Sequence, residues 1–151
     1  MLPRRDVFEA GGAPVSVLVG ILVAVHGLIT LAIGGVAISG APTPPEMGKL
    51  PGAGWYPVPL GESWLLHGGA AQLGGALWVL AGIGLLLTAA SVFGFILPRA
   101  WRQVGMMSGV LGLAGVALFF HPYYVIAVAA NLALIAAATV MEPTARRLLG
   151  I

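Results

Sequence analysis

Apolar residues fill four long stretches of this 151-residue chain, at about residues 15–39, 66–97, 102–120 and 123–141. Charged side chains stand between these stretches or at their ends. A helix needs about 20 apolar residues to cross roughly 30 Å of membrane hydrocarbon. The pattern therefore predicts an all-α fold, in which the whole chain forms one domain, a four-helix bundle that spans a membrane four times.

The composition also favours a lipid environment. Hydrophobic residues make up 59% of the chain and charged residues 8%, whereas ordinary soluble domains carry about 25% charged residues. A soluble domain of this size buries only about 70% of its chain surface. So much apolar surface is therefore better accommodated by lipid than by water.

The basic residues predict the orientation. If the N-terminus is cytoplasmic, six of the seven basic residues lie on the cytoplasmic side and only Lys49 lies outside. The positive-inside rule then predicts that both termini are cytoplasmic and that the protein is a multi-pass protein of the cell inner (plasma) membrane. No basic cluster interleaves with aromatic residues, which argues against nucleic-acid binding. The six cytoplasmic residues are Arg4, Arg5, Arg99, Arg102, Arg146 and Arg147.

The connection between the first two spans, residues 40–62, is rich in proline and glycine. It holds six of the eleven prolines, and this density is incompatible with a regular helix or strand. We predict an irregular extracytoplasmic loop. Its aromatic residues, Trp55 and Tyr56, together with Trp64, suit an interfacial aromatic belt, with a lid over the helices as the alternative.

Small residues in the spans predict how the helices associate. Gly105 and Gly109 form a GxxxG motif that Gly112 continues, and such faces allow close helix packing in lipid. A spare face of this kind could support a homo-oligomer or a larger membrane complex. Our first functional hypothesis is therefore a small non-catalytic protein, an accessory or scaffold subunit that packs against other transmembrane helices.

A few polar side chains lie inside the predicted spans. His26, Trp78 and Asn131 fall at similar depth, and Gln72 lies nearer the outside in the second span. Polar groups in hydrocarbon require hydrogen-bond partners, so we expect a mutual network. One interpretation is structural, in which these groups tie the helices together. The other is a binding site for a lipophilic ligand such as a quinone or a lipid.

Two further histidines, His67 and His121, are predicted at the outer interface. Two imidazoles at one membrane level could ligate haem iron or another metal in an electron carrier. No close His-His spacing supports this third hypothesis, and only Glu46 or Glu62 could add a ligand. The sequence requires no cofactor, and it contains no cysteine and no arrangement of a nucleophile with its base, so we expect no enzymatic activity.

Two stretches resemble small four-span bacterial membrane proteins. The first-span sequence VGILVAVHGL around His26-Gly27 is similar to the DoxX-like group, and so is the glycine-rich stretch QLGGALW that ends at Trp78. The lysine and the acid usual in that group are replaced here, the acid by Gln72. The chain resembles a related, poorly characterised bacterial group more closely. That group has HG in the first span and a tryptophan at the start of the third, as Trp101 is here. The resemblance covers about half the chain and implies a fold without an activity.

Overall fold

The computed structural model describes residues 12–40, 56–96 and 100–150. These residues form five α-helices and one 3₁₀ turn, Pro122–Tyr124, and no strand. The predicted all-α fold is confirmed for this part of the chain. The helices are α1 (Gly12–Ser39), α2 (Gly69–Val92), α3 (Trp101–Leu118), α4 (Val125–Ala138) and α5 (Glu142–Leu149).

Two of the described helices, α1 and α2, are long and apolar enough to cross a membrane. The 3₁₀ turn and α4 would form a third candidate span together with α5, although the chain bends by 96° between α4 and α5. The length and apolar composition of these helices are consistent with a membrane protein. Because α3 begins with Trp101, Arg102 and Gln103, its 18 residues are less apolar than those of α1 and α2.

The second helix is shorter than its apolar stretch. Gly68 has a φ of 56° and ends the preceding turn, so α2 begins only at Gly69. At the other end Gly94, with a φ of 77°, terminates α2 at Val92, because glycine adopts this conformation without steric cost. Ser63 lies in the segment before this helix and does not cap it. Its hydroxyl instead accepts hydrogen bonds from the N–H groups of Leu65 and Leu66 in an earlier turn.

The segment before α2 folds back onto the end of α3. The Ser63 hydroxyl donates a hydrogen bond to the Leu118 carbonyl at 2.5 Å, and the Trp64 indole N–H donates to the Ala117 carbonyl at 2.8 Å. The last carbonyls of a helix have no partner within the helix. Residues 63 and 64 therefore cap α3, and they define an end of the protein that we call the loop end.

The helices pack in chain order, α1 on α2, α2 on α3 and α3 on α4. Glycines bring α1 and α2 together so closely that their backbones touch. A Cβ atom added at Gly34 would lie 2.8 Å from the backbone nitrogen of Val79, and one at Gly82 would lie 2.9 Å from the backbone nitrogen of Leu31. By contrast, α1 and α4 share few contacts, which leaves a seam between the first and the last of the four long helices.

The glycine face of α3 is used within the chain. Gly105, Gly109 and Gly112 are all buried, and side chains added there would meet Leu134, Ile135 and the Asn131 amide of α4. This face is therefore covered by α4, because the small residues allow that helix to approach. Any partner helix would have to use a different face.

The chain after residue 138 differs from the predicted span of 123–141. Helix α4 ends at Ala138, whose carbonyl accepts a hydrogen bond from the Arg102 Nε at 2.8 Å. After a turn, Glu142–Leu149 forms a separate amphipathic helix that packs on α1 and α4. It begins at Glu142-Pro143, a sequence that suits the first turn of a helix.

Several residues that carry the predicted orientation lie outside the described residues. These are Arg4, Arg5, Lys49 and Arg99, together with Glu46 and most of the proline-rich loop. The described basic residues Arg102, Arg146 and Arg147 all lie at the end opposite the loop end, where α5 begins, and we call this the α5 end.

Candidate functional site

An apolar groove of about 510 Å³ lies along the seam between α1 and α4. Its lining is mostly aliphatic and aromatic, and three of its lining residues, Ile29, Tyr123 and Ile126, are exposed on the outer surface of the protein. The groove is therefore open sideways, toward the space that lipid would occupy. Its lining residues are His26, Ile29, Thr30, Ile33, Leu60, Trp78, Tyr123, Tyr124, Ile126 and Ala127.

His26 is joined to Asn131 across the seam. The Nε2 atom of His26 lies 3.3 Å from the Oδ1 atom of Asn131. Asn131 is only 2% exposed and does not line the groove, whereas His26 is half-buried and does. Thr30, one turn after His26, donates its hydroxyl proton to the His26 carbonyl at 2.7 Å. The predicted contact between His26 and Asn131 is therefore present.

Trp78 forms part of the groove wall without joining this hydrogen bond. Its side chain is 1% exposed and packs against the ring of Tyr124, with the ring centroids 5.1 Å apart. A Cβ atom added at Gly115 of α3 would lie 2.9 Å from the indole nitrogen, so only glycine leaves room for this edge of the ring. Within the described residues the indole N–H has no hydrogen-bond partner.

Gln72, the fourth predicted ligand residue, lies elsewhere. It lines a second cavity of about 500 Å³ at the loop end, between the end of α1 and the start of α2. Its amide lies over Gly40, where an added Cβ atom would be 2.7 Å from the Gln72 Nε2 atom. The structure therefore separates Gln72 from the groove that contains His26.

His67 and His121 occupy different environments. His67 is exposed and lines the second cavity, whereas His121 is 1% exposed. The Nδ1 atom of His121 accepts a hydrogen bond from the backbone N–H of Tyr123 at 3.3 Å, so this histidine caps the 3₁₀ turn. Burial lowers the pKa of His121 below its usual value. Among the described residues no three histidine or acidic side chains are grouped as a metal site.

Several site residues were not anticipated from the sequence. Tyr124 is 4% exposed and covers Trp78, and Leu60 approaches the groove from the folded-back segment. The Tyr124 hydroxyl lies beside the backbone of Gly61 without a hydrogen bond of normal geometry. The spacing of four residues between His26 and Thr30 was a usable signal, since it places both on one helix face. No local pattern predicts the position of Leu60.

The groove has little capacity for acid-base chemistry. The described carboxylates are Glu62 and Glu142, and neither lines it. What the arrangement offers is an apolar surface with one imidazole as its principal polar feature. Comparisons with protein families, with characterised proteins and with solved structures found no match to this chain.

Proposed function

We propose that this chain is a non-catalytic, four-span protein of the inner membrane whose groove between α1 and α4 binds one lipophilic molecule. The observation that carries the proposal is the groove itself, which is apolar, open on the lipid side, and supplied with a single half-buried imidazole, His26. Its volume of about 510 Å³ lies within the range of about 300–1,000 Å³ that is typical of small-molecule sites.

The distribution of charge supports the membrane topology. All three described arginines, Arg102, Arg146 and Arg147, lie at the α5 end, and an even number of spans places both termini on one side. Cytoplasmic loops are enriched in such residues, so we assign the α5 end to the cytoplasm. Helix α5 turns 96° away from α4, an angle that suits a short amphipathic helix lying along the membrane surface.

The lengths of the later helices are compatible with two further spans. Helix α3 has 18 residues, and α4 together with its 3₁₀ turn covers Pro122–Ala138. At 1.5 Å per residue these segments reach roughly 25 Å, slightly less than the hydrocarbon thickness. Local thinning of the bilayer and interfacial side chains such as Tyr123 compensate for a mismatch of this size at small cost.

The accessory-subunit hypothesis remains a second proposal, but we assign no helix face to a partner protein. The GxxxG surface that suggested it, at Gly105 and Gly109, is covered by α4. The exposed apolar side chains of α1 are equally suited to lipid. The haem hypothesis has less support, because His121 uses one ring nitrogen to cap a turn, and His67 lies exposed in the other cavity.

The test is recovery of a bound molecule from the purified protein. The full chain is extracted into lipid nanodiscs, and the retained small molecules are identified by mass spectrometry. Two alanines of α4 provide a matched pair, because Ala127 lines the groove and Ala129 is exposed outside it. We expect Ala127→Leu to reduce the recovered ligand by about tenfold, or about 1.4 kcal/mol, and Ala129→Leu to leave it unchanged.

Two results would contradict the proposal. One is that no lipophilic compound is retained in amounts comparable to the protein. The other is that Ala127→Leu and Ala129→Leu retain the same amount. Stable co-purification of another membrane protein, together with an empty groove, would favour the accessory-subunit hypothesis instead.

A further inference from the structure

The contact between His26 and Asn131 determines which ring nitrogen of His26 carries the proton. An amide oxygen can only accept a hydrogen bond, so the His26 Nε2 atom, 3.3 Å from the Asn131 Oδ1 atom, is the donor. Charge is costly in hydrocarbon, and an uncharged imidazole carries one N–H group only. The Nδ1 atom of His26 is therefore a hydrogen-bond acceptor.

The Nδ1 atom is the acceptor that the His26 side chain can offer to the groove. The described residues provide no hydrogen bond to it, and Asn131, which holds the other nitrogen, lies behind the groove wall. Two other polar groups of the lining are engaged or directed elsewhere. The Thr30 hydroxyl is bonded to the His26 carbonyl, and the Trp78 indole nitrogen lies against Gly115.

Three helices hold this arrangement in place. His26 belongs to α1 and Asn131 to α4, while Gly112 of α3 lies directly beneath the Asn131 amide. A Cβ atom added at Gly112 would lie 2.6 Å from the Asn131 Nδ2 atom. The amide therefore has little freedom to move away from His26, and the donor role of the Nε2 atom is maintained by packing.

We infer that the ligand of this groove is a lipophilic molecule with a hydroxyl group, which donates a hydrogen bond to the Nδ1 atom of His26. The inference rests on the proposed function. A hydroxyl complements a bare imidazole nitrogen, whereas a carbonyl oxygen would place two acceptors against each other in a medium where an unmade hydrogen bond is expensive. Quinols and long-chain prenyl alcohols carry this chemistry, and oxidised quinones do not.

The ring proton is directly measurable. The full chain is labelled with ¹⁵N-histidine in nanodiscs, and His26 is assigned by the signal missing from His26→Leu. We expect chemical shifts of a neutral ring protonated at Nε2. In Asn131→Leu the preference for this tautomer is expected to weaken. A ring protonated at Nδ1 in the unaltered protein would overturn the inference.

Binding of defined probes tests the ligand class. Decyl-hydroquinone and geranylgeraniol present a hydroxyl, and decyl-benzoquinone and a C20 hydrocarbon serve as their matched controls. We expect the two hydroxyl compounds to bind about tenfold more tightly than their controls. His26→Leu is expected to abolish this difference while retaining hydrocarbon binding, since the apolar walls remain.

The outcomes distinguish failure of the hydroxyl inference from failure of the proposed function. If the benzoquinone binds as tightly as the hydroquinone, and the hydrocarbon as tightly as the alcohol, the hydroxyl inference is overturned and the groove remains a lipophilic site. If none of the four probes binds saturably, or if binding is unaffected by Ala127→Leu, the proposed function itself is contradicted.

Discussion

Gly34 of α1 lies directly against the backbone of Val79 in α2, so close that a Cβ atom at Gly34 would be 2.8 Å from the Val79 nitrogen. The neighbouring Gly35 has no atom within 4 Å of the same added position. These two adjacent glycines therefore separate the packing role of glycine from its effect on the helix itself.

We predict that Gly34→Ala destabilises the protein by about 1–3 kcal/mol, because the two helices must move apart to admit the methyl group. Gly35→Ala is expected to be neutral or slightly stabilising, since alanine is the better helix former. Reversible unfolding in mixed detergent micelles provides the measurement. Equal stability of the two variants would show that α1 and α2 do not touch at Gly34.

The two leucines at the end of α5 differ in burial. Leu149 is 9% exposed and Leu148 is 54% exposed. We expect Leu149→Ala to release α5 from α1 and to increase hydrogen exchange of the α5 amides, at a cost of about 2 kcal/mol. Leu148→Ala serves as the control and should leave exchange unchanged. Similar exchange in both variants would argue against docking of α5 through Leu149.

The ion pair between Glu142 and Arg146 contributes little by comparison. The two side chains are one helical turn apart and partly exposed, and such pairs contribute at most about 1 kcal/mol because solvent screens them. We predict that Glu142→Gln changes the free energy of unfolding by less than about 0.5 kcal/mol. The same denaturation assay applies, and a loss as large as that of Leu149→Ala would contradict this ranking.

The pH dependence of stability should report on His121. Burial among the rings of Tyr56, Tyr123 and Tyr124 lowers the pKa of His121 in the folded protein. The unfolded chain therefore takes up the proton first as the pH falls. The contribution of His121 is complete above about pH 6.5, the ordinary histidine pKa, and it is lost progressively below that value until the folded-state pKa is reached.

His121→Asn is the matched control for this titration. An asparagine can still accept the hydrogen bond from the Tyr123 N–H, and it does not titrate. We expect the acid-side slope of the free energy of unfolding to be shallower in this variant. An unchanged slope between pH 7 and pH 5 would assign the pH dependence to other groups.

The cap on α3 can be tested at Ser63. Ser63→Ala removes the hydrogen bond to the Leu118 carbonyl and the acceptor for two backbone N–H groups, so we expect a loss of about 1–2 kcal/mol. The exposed Ser39 bonds a carbonyl of its own helix, and Ser39→Ala should cost less than about 0.5 kcal/mol. Equal losses would mean that the folded-back segment does not stabilise α3.

The amino-acid sequence by itself determined the helical fold. Long apolar segments suit hydrocarbon, where no water is present, so the backbone groups of each segment form their hydrogen bonds within it. The sequence also placed His26 and Asn131 at similar depth in their predicted spans, and for this reason the two side chains were expected to meet. Hydrophobicity and helical spacing are local properties, and the helices and the depth of each residue along them depend on nothing else. The sequence Glu142-Pro143 is a local signal for the start of α5. The break after Ala138 was not predicted, because the apolar stretch continues past it.

Which helices touch was decided only by tertiary structure. From the sequence, the glycines of α3 could equally have packed against a second protein. In the structure α4 covers them. Trp78 has the same depth as His26, yet the space above Gly115 turns its indole nitrogen toward α3. The groove exists because α1 and α4 meet only sparsely, and Leu60 reaches it from a segment that folds back onto α3. Such contacts join residues distant in the chain, and their geometry follows from side-chain shape in three dimensions, which no periodicity encodes.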